Sequence, residues 1–326
     1  MNEFLANIIH AINSVVHSYG VSIILFTLLI RLLLYPLNLK GRVGMRKMAD
    51  IGPKVQALQK KYANDKDKLN AKTQELYRKE GVNPLSGCLP MLLSFPILII
   101  MFNAMRQVAN IQLLNQVYSF LIGKEANFEG FLWIKNLWMP DSPFYPTAPT
   151  ISMLKLVGLN DWQSAFNALS QADQQALMAA VPNLSFDNLQ NLTETISAAL
   201  ANNAQYMSHI QTLPGWENIN LFISRLSVFK NYNGLLILPI LAAATQFVAT
   251  KFMPQQPQQE GAPNTSFMTW FFPIFSAYIC LNYNASFALY WVAANVFSTV
   301  ETIFMNKYLD KKTSNEVQSV DGGALK

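Results

Sequence analysis

Five segments of the sequence are long and apolar enough, or nearly so, to cross a lipid bilayer as helices, and they constrain the fold more than any other feature. A helix needs about 20 largely apolar residues to span the hydrocarbon core. The five segments are 19–39, 88–106, 234–253, 267–281 and 286–306. Only 13% of the residues are charged, whereas a typical soluble domain has about 25%. The sequence therefore predicts an all-α integral membrane protein with five transmembrane helices.

The uneven distribution of basic residues predicts the orientation of these helices. Twelve of the 24 Lys and Arg residues fall between positions 40 and 79. Residues 107–233, by contrast, contain eight acidic and five basic residues. Connections rich in Lys and Arg remain on the cytoplasmic side of a membrane. We therefore expect the N-terminus outside, and both the basic connection and the C-terminus in the cytoplasm.

The chain divides into five predicted parts. Residues 1–18 lack the basic start and the small-residue cleavage site of a signal peptide. Their apolar residues recur at helical spacing, which favours an amphipathic helix in the membrane interface, with a simple extension of the first span as the alternative. The other parts are the first two spans with a cytoplasmic helical hairpin (19–106, hairpin 41–83), an extracytoplasmic loop and helical insert (107–233), spans three to five (234–306) and a cytoplasmic tail (307–326).

The hairpin is predicted from a regular apolar seam within the basic connection. Its members are spaced 3, 4, 3 and 4 residues apart, and they are Met48, Ile51, Val55, Leu58 and Tyr62. Such a seam is typical of one helix packing against another. A second helix is expected over 66–79, ending before Gly81. The alternative is a solvated charged linker.

Arg31 is the main functional signal because it interrupts the first apolar segment. It lies nine residues before Lys40, roughly 13 Å from the cytoplasmic end at about 1.5 Å per residue. A lipid-facing Arg at the bilayer centre costs about 2.5–3.5 kcal/mol, which favours an Arg that faces a hydrated cavity. There it could hold acidic or polar groups of a translocating segment. The alternative is a structural Arg paired with backbone carbonyls or with Glu301.

The sequence offers no pattern typical of an enzyme. The spans contain no Asp pair, no His-Glu zinc pattern and no Ser, His and Asp at matching depth. Cys88 and Cys280 lack metal-ligand spacing and are interpreted as packing residues. We therefore expect no catalytic residue, no metal and no cofactor. Specific nucleic-acid binding is not expected either, because the basic residues cluster in one connection and form no Gly-rich phosphate cradle.

Several segments together resemble the YidC/Oxa/Alb family of membrane protein insertases. They are YGVSIILFTLLIRLLLYPL, KEGVNPLSGCLPMLLSFPILI, FLWIKNL, LPILAAATQF and FFPIFSAYICLNYNASFALYWVAANVFSTVE. The resemblance covers the five spans and the hairpin. This chain departs from the family in a long insertion after Tyr145, in the lack of a visible lipoprotein signal, and in Glu301, where a polar uncharged residue is more usual.

The resemblance implies a hydrophilic groove that is open to the cytosol and to lipid. By resemblance, Arg31, Gln246 and Trp291 line it. Considered alone, Gln246 is typical of an interhelical hydrogen bond, and Trp291 of an interface anchor or a packing residue. The family also implies that the hairpin contacts substrate chains or targeting partners, and its basic candidates for this role are Arg46, Lys47, Lys54, Lys60 and Lys61.

The function implied is that of an insertase and chaperone in a bacterial plasma membrane. It would move nascent membrane proteins from the cytosol into the lipid bilayer, alone or with the Sec translocon, and the ribosome is a further expected partner. One alternative is an assembly chaperone that does not insert proteins. Another is a small-anion transporter using Arg31, which is disfavoured because such transporters usually show paired repeats with broken helices.

Overall fold

The computed structural model describes residues 2–82, 85–221, 224–252 and 265–323. These residues are mostly helical, with one short antiparallel pair of strands that the sequence did not predict. The elements are α1 (Asn2–Val16), α2 (Tyr19–Asp50), α3 (Gly52–Lys61), α4 (Lys66–Lys79), α5 (Leu85–Leu121), α6 (Ile151–Leu154), α7 (Leu159–Asn167), α8 (Gln171–Ala180), α9 (Leu189–Ala201), α10 (Ala204–His209), β1 (Ile219–Leu221), β2 (Ser224–Leu226), α11 (Ile237–Phe252), α12 (Thr265–Asn282) and α13 (Ala285–Gly323).

Two of the described helices are long and apolar enough to cross a membrane. They are α2 and the part of α13 over Ala285–Lys311. The helix α11 is apolar but shorter, and residue 253, the last of the third predicted span, lies outside the described residues. The helices α5 and α12 cover the second and fourth predicted spans. The predominance of apolar helices agrees with an all-α membrane protein.

The chain forms two compact units. Unit 1 consists of residues 1–26, 100–243 and 275–292, and unit 2 of residues 27–99, 244–274 and 293–326.

In unit 1, the helix α5 continues beyond Arg106, where the sequence predicted the end of the second span, to Leu121. Its last part forms the centre of a hydrophobic core with the helices of the insert. The buried members on α5 include Leu114, Val117, Tyr118 and Phe120, and those on α7 to α10 include Trp162, Leu177, Leu192, Ile196 and Tyr206. The continuation has a physical cause, because these α5 side chains repeat at helical spacing and bury against the insert.

The two ends of the insert lie next to each other within unit 1. The amide of Thr147 donates to the carbonyl of Asn231 at 2.9 Å, and the amide of Asn233 donates to the carbonyl of Tyr145 at 2.9 Å. The side chain of Asn233 also donates to three carbonyls, of Asn136, Met139 and Pro140, over 2.9–3.1 Å. Buried polar groups are normally hydrogen-bonded, and here the buried side-chain amide of Asn233 has its partners on the segment 136–140. This network therefore fixes both ends of the insert.

The start of α11 is held by the buried carboxylate of Asp141. Its Oδ1 accepts from the amide of Leu235 at 2.7 Å, and its Oδ2 accepts from the amide of Leu238 at 2.6 Å. The indole Nε1 of Trp133 donates to the same Oδ2 at 3.1 Å. A Cβ on Gly234 would overlap with this carboxylate, so the position requires glycine. The carboxylate thus satisfies amides that a helix N-terminus would otherwise leave without partners.

In unit 2, α3 and α4 pack through a small apolar cluster of Met48, Ile51, Val55, Tyr77 and Val82. Three of these residues belong to the predicted seam, whose other two members, Leu58 and Tyr62, are half-buried.

The helix α4 has the predicted bounds, and Asp65 caps it by accepting from the amide of Lys68 at 3.0 Å. Lys54 near the start of α3 pairs with Glu80 after the end of α4 at 2.6 Å. The two helices therefore run antiparallel.

Candidate functional site

The helix α2 carries an exposed leucine stripe and a polar stripe on opposite sides. Leu32 and Leu33 are 62% and 66% exposed, and Leu29 is exposed on the same side. Arg31 is half-buried, and at 3.6 residues per turn it lies roughly 150° from the centre of the leucine stripe. The face of α2 best suited to lipid is therefore not the face that carries the guanidinium.

The polar stripe consists of Arg31, Asn38 and Arg42. The spacings of seven and eleven residues bring all three to one side of a helix. Arg42 is only 8% exposed, and Asn38 is half-buried. Sequence reasoning identified Arg31 but missed the other two, although their spacing from Arg31 was a signal that could have indicated them.

This stripe faces polar residues of α13. The amide of Asn38 donates to Oε1 of Glu301 at 3.1 Å, and the guanidinium of Arg42 donates to the hydroxyl of Thr302.

One further ion pair joins Arg46 and Asp310 at 2.6 Å. The residue numbers of these three pairs rise together along both helices. The helices α2 and α13 therefore run parallel to each other in this part of unit 2.

Around Glu301, the contact between α2 and α13 brings together two guanidiniums and one carboxylate. Arg31 and Arg42 both act electrostatically on Glu301. No ion pair between Arg31 and a carboxylate occurs among the described residues, and the hydrogen bond to Glu301 comes from Asn38. The Nη1 atom of Arg42 is buried without a hydrogen-bond partner in the described part of the chain. The contact therefore carries more positive than negative charge.

Gln246 and Trp291, the other two predicted groove residues, lie in different units. Gln246 is half-buried on α11 in unit 2. Beside it, the hydroxyl of Thr245 accepts from the side-chain amide of Asn295 at 3.3 Å, which links α11 to α13. Trp291 belongs to unit 1, where its ring centroid is 5.5 Å from that of Phe287. Its Nε1 is buried without a described partner, so it donates no described hydrogen bond that would orient the ring.

The five basic candidates of the predicted hairpin differ in their surroundings. Arg46 and Lys54 form ion pairs within the chain. Lys61 is exposed, with its Nζ 5.6 Å from the ring centroid of Tyr62. Lys47 and Lys60 are exposed, and no described carboxylate forms an ion pair with either. The last three side chains are therefore the exposed ones that form no ion pair with a described carboxylate.

The described residues contain no group of three or more His, Cys, Asp or Glu side chains that could hold a metal ion. Cys280 is buried, and the side chain of Cys88 lies outside the described part of the chain.

Comparison with known proteins shows that this chain is similar to membrane proteins. The family described as the 60Kd inner membrane protein matches residues 11–189 and 195–312. A membrane protein insertase YidC of Fusobacterium nucleatum is 38% identical over 166 residues, which are 49% of this chain and 73% of that protein.

Two longer relatives match most of this chain. The membrane protein insertase YidC of Chlorobaculum tepidum is 26% identical over 294 residues, 90% of this chain and 34% of that protein. The chloroplastic inner membrane protein ALBINO3 of Arabidopsis thaliana is 26% identical over 292 residues, 89% of this chain and 47% of that protein. This chain therefore spans less than half the length of these two relatives.

Proposed function

The chain belongs to the YidC/Oxa/Alb family, that of the 60Kd inner membrane protein, and we propose that it is a membrane protein insertase and chaperone. It moves nascent membrane proteins from the cytosol into the bilayer through a hydrophilic groove, with no catalytic step, metal or cofactor. The observation that carries this proposal is the polar stripe of α2, where Arg31 lies opposite the exposed leucines.

The proposed arrangement has five spans, with the N-terminus outside and the C-terminus in the cytoplasm of a bacterium. The parallel course of α2 and α13 supports it, because the first and fifth of five spans cross the membrane in the same direction. The twelve basic residues between positions 40 and 79 support the orientation. Residues 107–233 then lie outside as a loop and helical insert, and 307–326 form a cytoplasmic tail.

Arg31 acts in this proposal as a fixed positive charge within the groove. A carboxylate moved to the bilayer centre costs about 2.5–3.5 kcal/mol. The Coulomb attraction of a guanidinium about 4 Å away stabilises that carboxylate by roughly 4 kcal/mol at the effective dielectric constant of a partly hydrated site. The two magnitudes are comparable, so one Arg offsets the cost for one acidic residue of a substrate. Gln246 and Trp291 are proposed to line the same groove.

The partners proposed are nascent membrane proteins, the lipid bilayer, the ribosome and the Sec translocon. The exposed cations Lys47, Lys60 and Lys61 suit contacts with acidic segments of substrates or partners. Arg46 and Lys54 contribute to the same surface when their internal ion pairs open. Exposed ion pairs are worth only about 0–1 kcal/mol, so opening them requires little free energy.

The test is reconstitution of the purified chain in protein-free liposomes with a small single-span substrate that carries an acidic outer tail. We expect the chain to raise protease protection of that tail. Arg31→Ala should lower protection of the acidic tail, whereas Arg31→Lys should retain most of it because the charge is kept. A matched substrate with a neutral tail should be affected much less by either variant.

Equal protection with and without the chain would contradict the proposal. A substrate that enters the bilayer unaided but folds correctly only with the chain would favour the assembly chaperone instead. Uptake of a small anion that Arg31→Ala abolishes, without any effect on substrate proteins, would favour the transporter.

A further inference from the structure

A tight turn in unit 1 presents an apolar side chain outward on a strained backbone. Phe131 and Ile134 exchange two backbone hydrogen bonds, of 2.9 and 3.0 Å, which leaves Leu132 and Trp133 as the two central residues. Leu132 has a φ of 55°. A two-residue turn with positive φ at its first central position normally has glycine there, and a bulky residue in this region is an outlier.

Leu132 gains no packing that would compensate for this strain, because it is 76% exposed. Strained positions of this kind persist where the surrounding structure imposes them, and they cluster at functional sites. An exposed leucine held outward by the backbone is therefore expected to contact something outside the chain.

The turn is fixed to the first residues of two proposed spans. The ring of Phe131 occupies the space beside Gly20, where a Cβ would overlap with it, and Gly20 is the second residue of α2. Trp133 donates to Asp141, which holds the start of α11. The contacts of the turn with the first residues of α2 and with the start of α11 therefore fix the position of Leu132.

The surroundings of the turn combine apolar, aromatic and basic groups. The Nζ of Lys135 lies 4.4 Å from the ring centroid of Tyr232, and Leu235 is exposed two residues before α11 begins. Exposed apolar side chains continue from there along the two helices, at Val21 on α2 and Ile240 on α11. Aromatic rings with Lys nearby are typical of the level of the lipid headgroups.

We propose that the turn over residues 131–135 is an interfacial anchor in the outer leaflet of the bilayer. Leu132 enters the boundary between headgroups and acyl chains, and Lys135 contacts the lipid phosphates. Lipid is the favoured occupant because the patch is continuous with the exposed apolar surfaces of two proposed spans and carries a cation. The inference rests on the membrane orientation in the proposed function, but not on insertase activity.

The experiment measures the depth of the turn in liposomes. An environment-sensitive fluorophore is attached to Leu132→Cys in the full chain, with both native cysteines replaced by alanine. Lipids that carry a nitroxide near the headgroup or in the middle of the acyl chain serve as quenchers. Met178→Cys, at an exposed apolar position on α8 of the insert, is the matched control.

We expect the shallow nitroxide to quench the label at position 132 several-fold more than the label at position 178. Lys135→Cys is the second variant, which keeps Leu132 and should also be quenched by the shallow lipid. The anchor would be overturned if the lipid quenchers act on both turn positions no more strongly than on position 178. It would also be overturned if a partner protein shields position 132 while the lipid quenchers have no effect. Since the assay reads lipid contact, a failed insertion assay with intact quenching would reject only the proposed function.

Discussion

Replacing Asp141 by alanine is expected to destabilise unit 1 strongly. The carboxylate is completely buried and accepts three hydrogen bonds, from the amides of Leu235 and Leu238 and from the indole of Trp133. Alanine removes both acceptor oxygens, and with them all three hydrogen bonds, and it also removes the negative charge at the start of α11.

The magnitude follows from the burial of each donor. The Leu238 amide is buried, whereas the other two donors are partly exposed and can regain some hydration. An unsatisfied buried donor costs about 1–3 kcal/mol, and the lost interaction with the helix terminus adds about 0.3–1 kcal/mol. We therefore expect Asp141→Ala to lower the free energy of unfolding by roughly 3–5 kcal/mol.

Denaturant titration in detergent, followed by tryptophan fluorescence, measures this free energy. The signal reports mainly unit 1, because five of the six Trp residues belong to it. Asp141→Asn keeps one acceptor and should lose less than alanine does. Asp187→Ala is the control, since that carboxylate is exposed and a surface substitution is usually within about 0.5 kcal/mol. Equal stability of Asp141→Ala and Asp187→Ala would refute the reasoning.

Three further predictions concern the same unit. Excision of residues 148–230 with a short flexible linker should leave substrate insertion largely intact, because the ends of the insert are adjacent, and a complete loss of membrane assembly would contradict this. Burial lowers the pKa of His209, so its contribution to the free energy of unfolding should be fully present above about pH 6.5, its ordinary value, and decrease as the pH falls. His209→Gln should weaken this pH dependence, measured as the difference in melting temperature between pH 7 and pH 5.5. Some pH dependence should remain from His10, whose pKa is also lowered by burial. A pH dependence equal to that of the unsubstituted chain would contradict the role of His209. Gly20→Ala should cost about 1–3 kcal/mol by overpacking against the Phe131 ring, and an unchanged melting temperature would contradict the close packing.

The sequence predicted those helices whose bounds are determined by residues close to them in the chain. The helix α4 was predicted with its observed bounds, because Asp65 and Gly81 mark its two ends in the sequence. The continuation of α5 to Leu121 was not predicted. Its apolar residues after Arg106 are interspersed with polar ones, and only the core of the insert gives them a partner.

The candidate site shows the same difference between local and distant information. Arg31 was identified because a charge within an apolar segment is visible in the sequence alone. The contacts of Asn38 with Glu301 and of Arg42 with Thr302 join residues 263 and 260 positions apart. Sequence periodicity gives the face of each helix, but it does not give the register in which two distant helices meet.

The proposed function depends most on whether Arg31 lies in contact with water inside the membrane. The direct measurement is the reaction rate of Arg31→Cys in liposomes with a charged, membrane-impermeant thiol reagent supplied on the cytoplasmic side, in a background without native cysteines. Leu33→Cys, from the exposed leucine stripe, is the matched control that lipid should shield. We predict that position 31 reacts at least several-fold faster than position 33. A cysteine at position 31 that is as unreactive as the one at position 33 would contradict a hydrated groove.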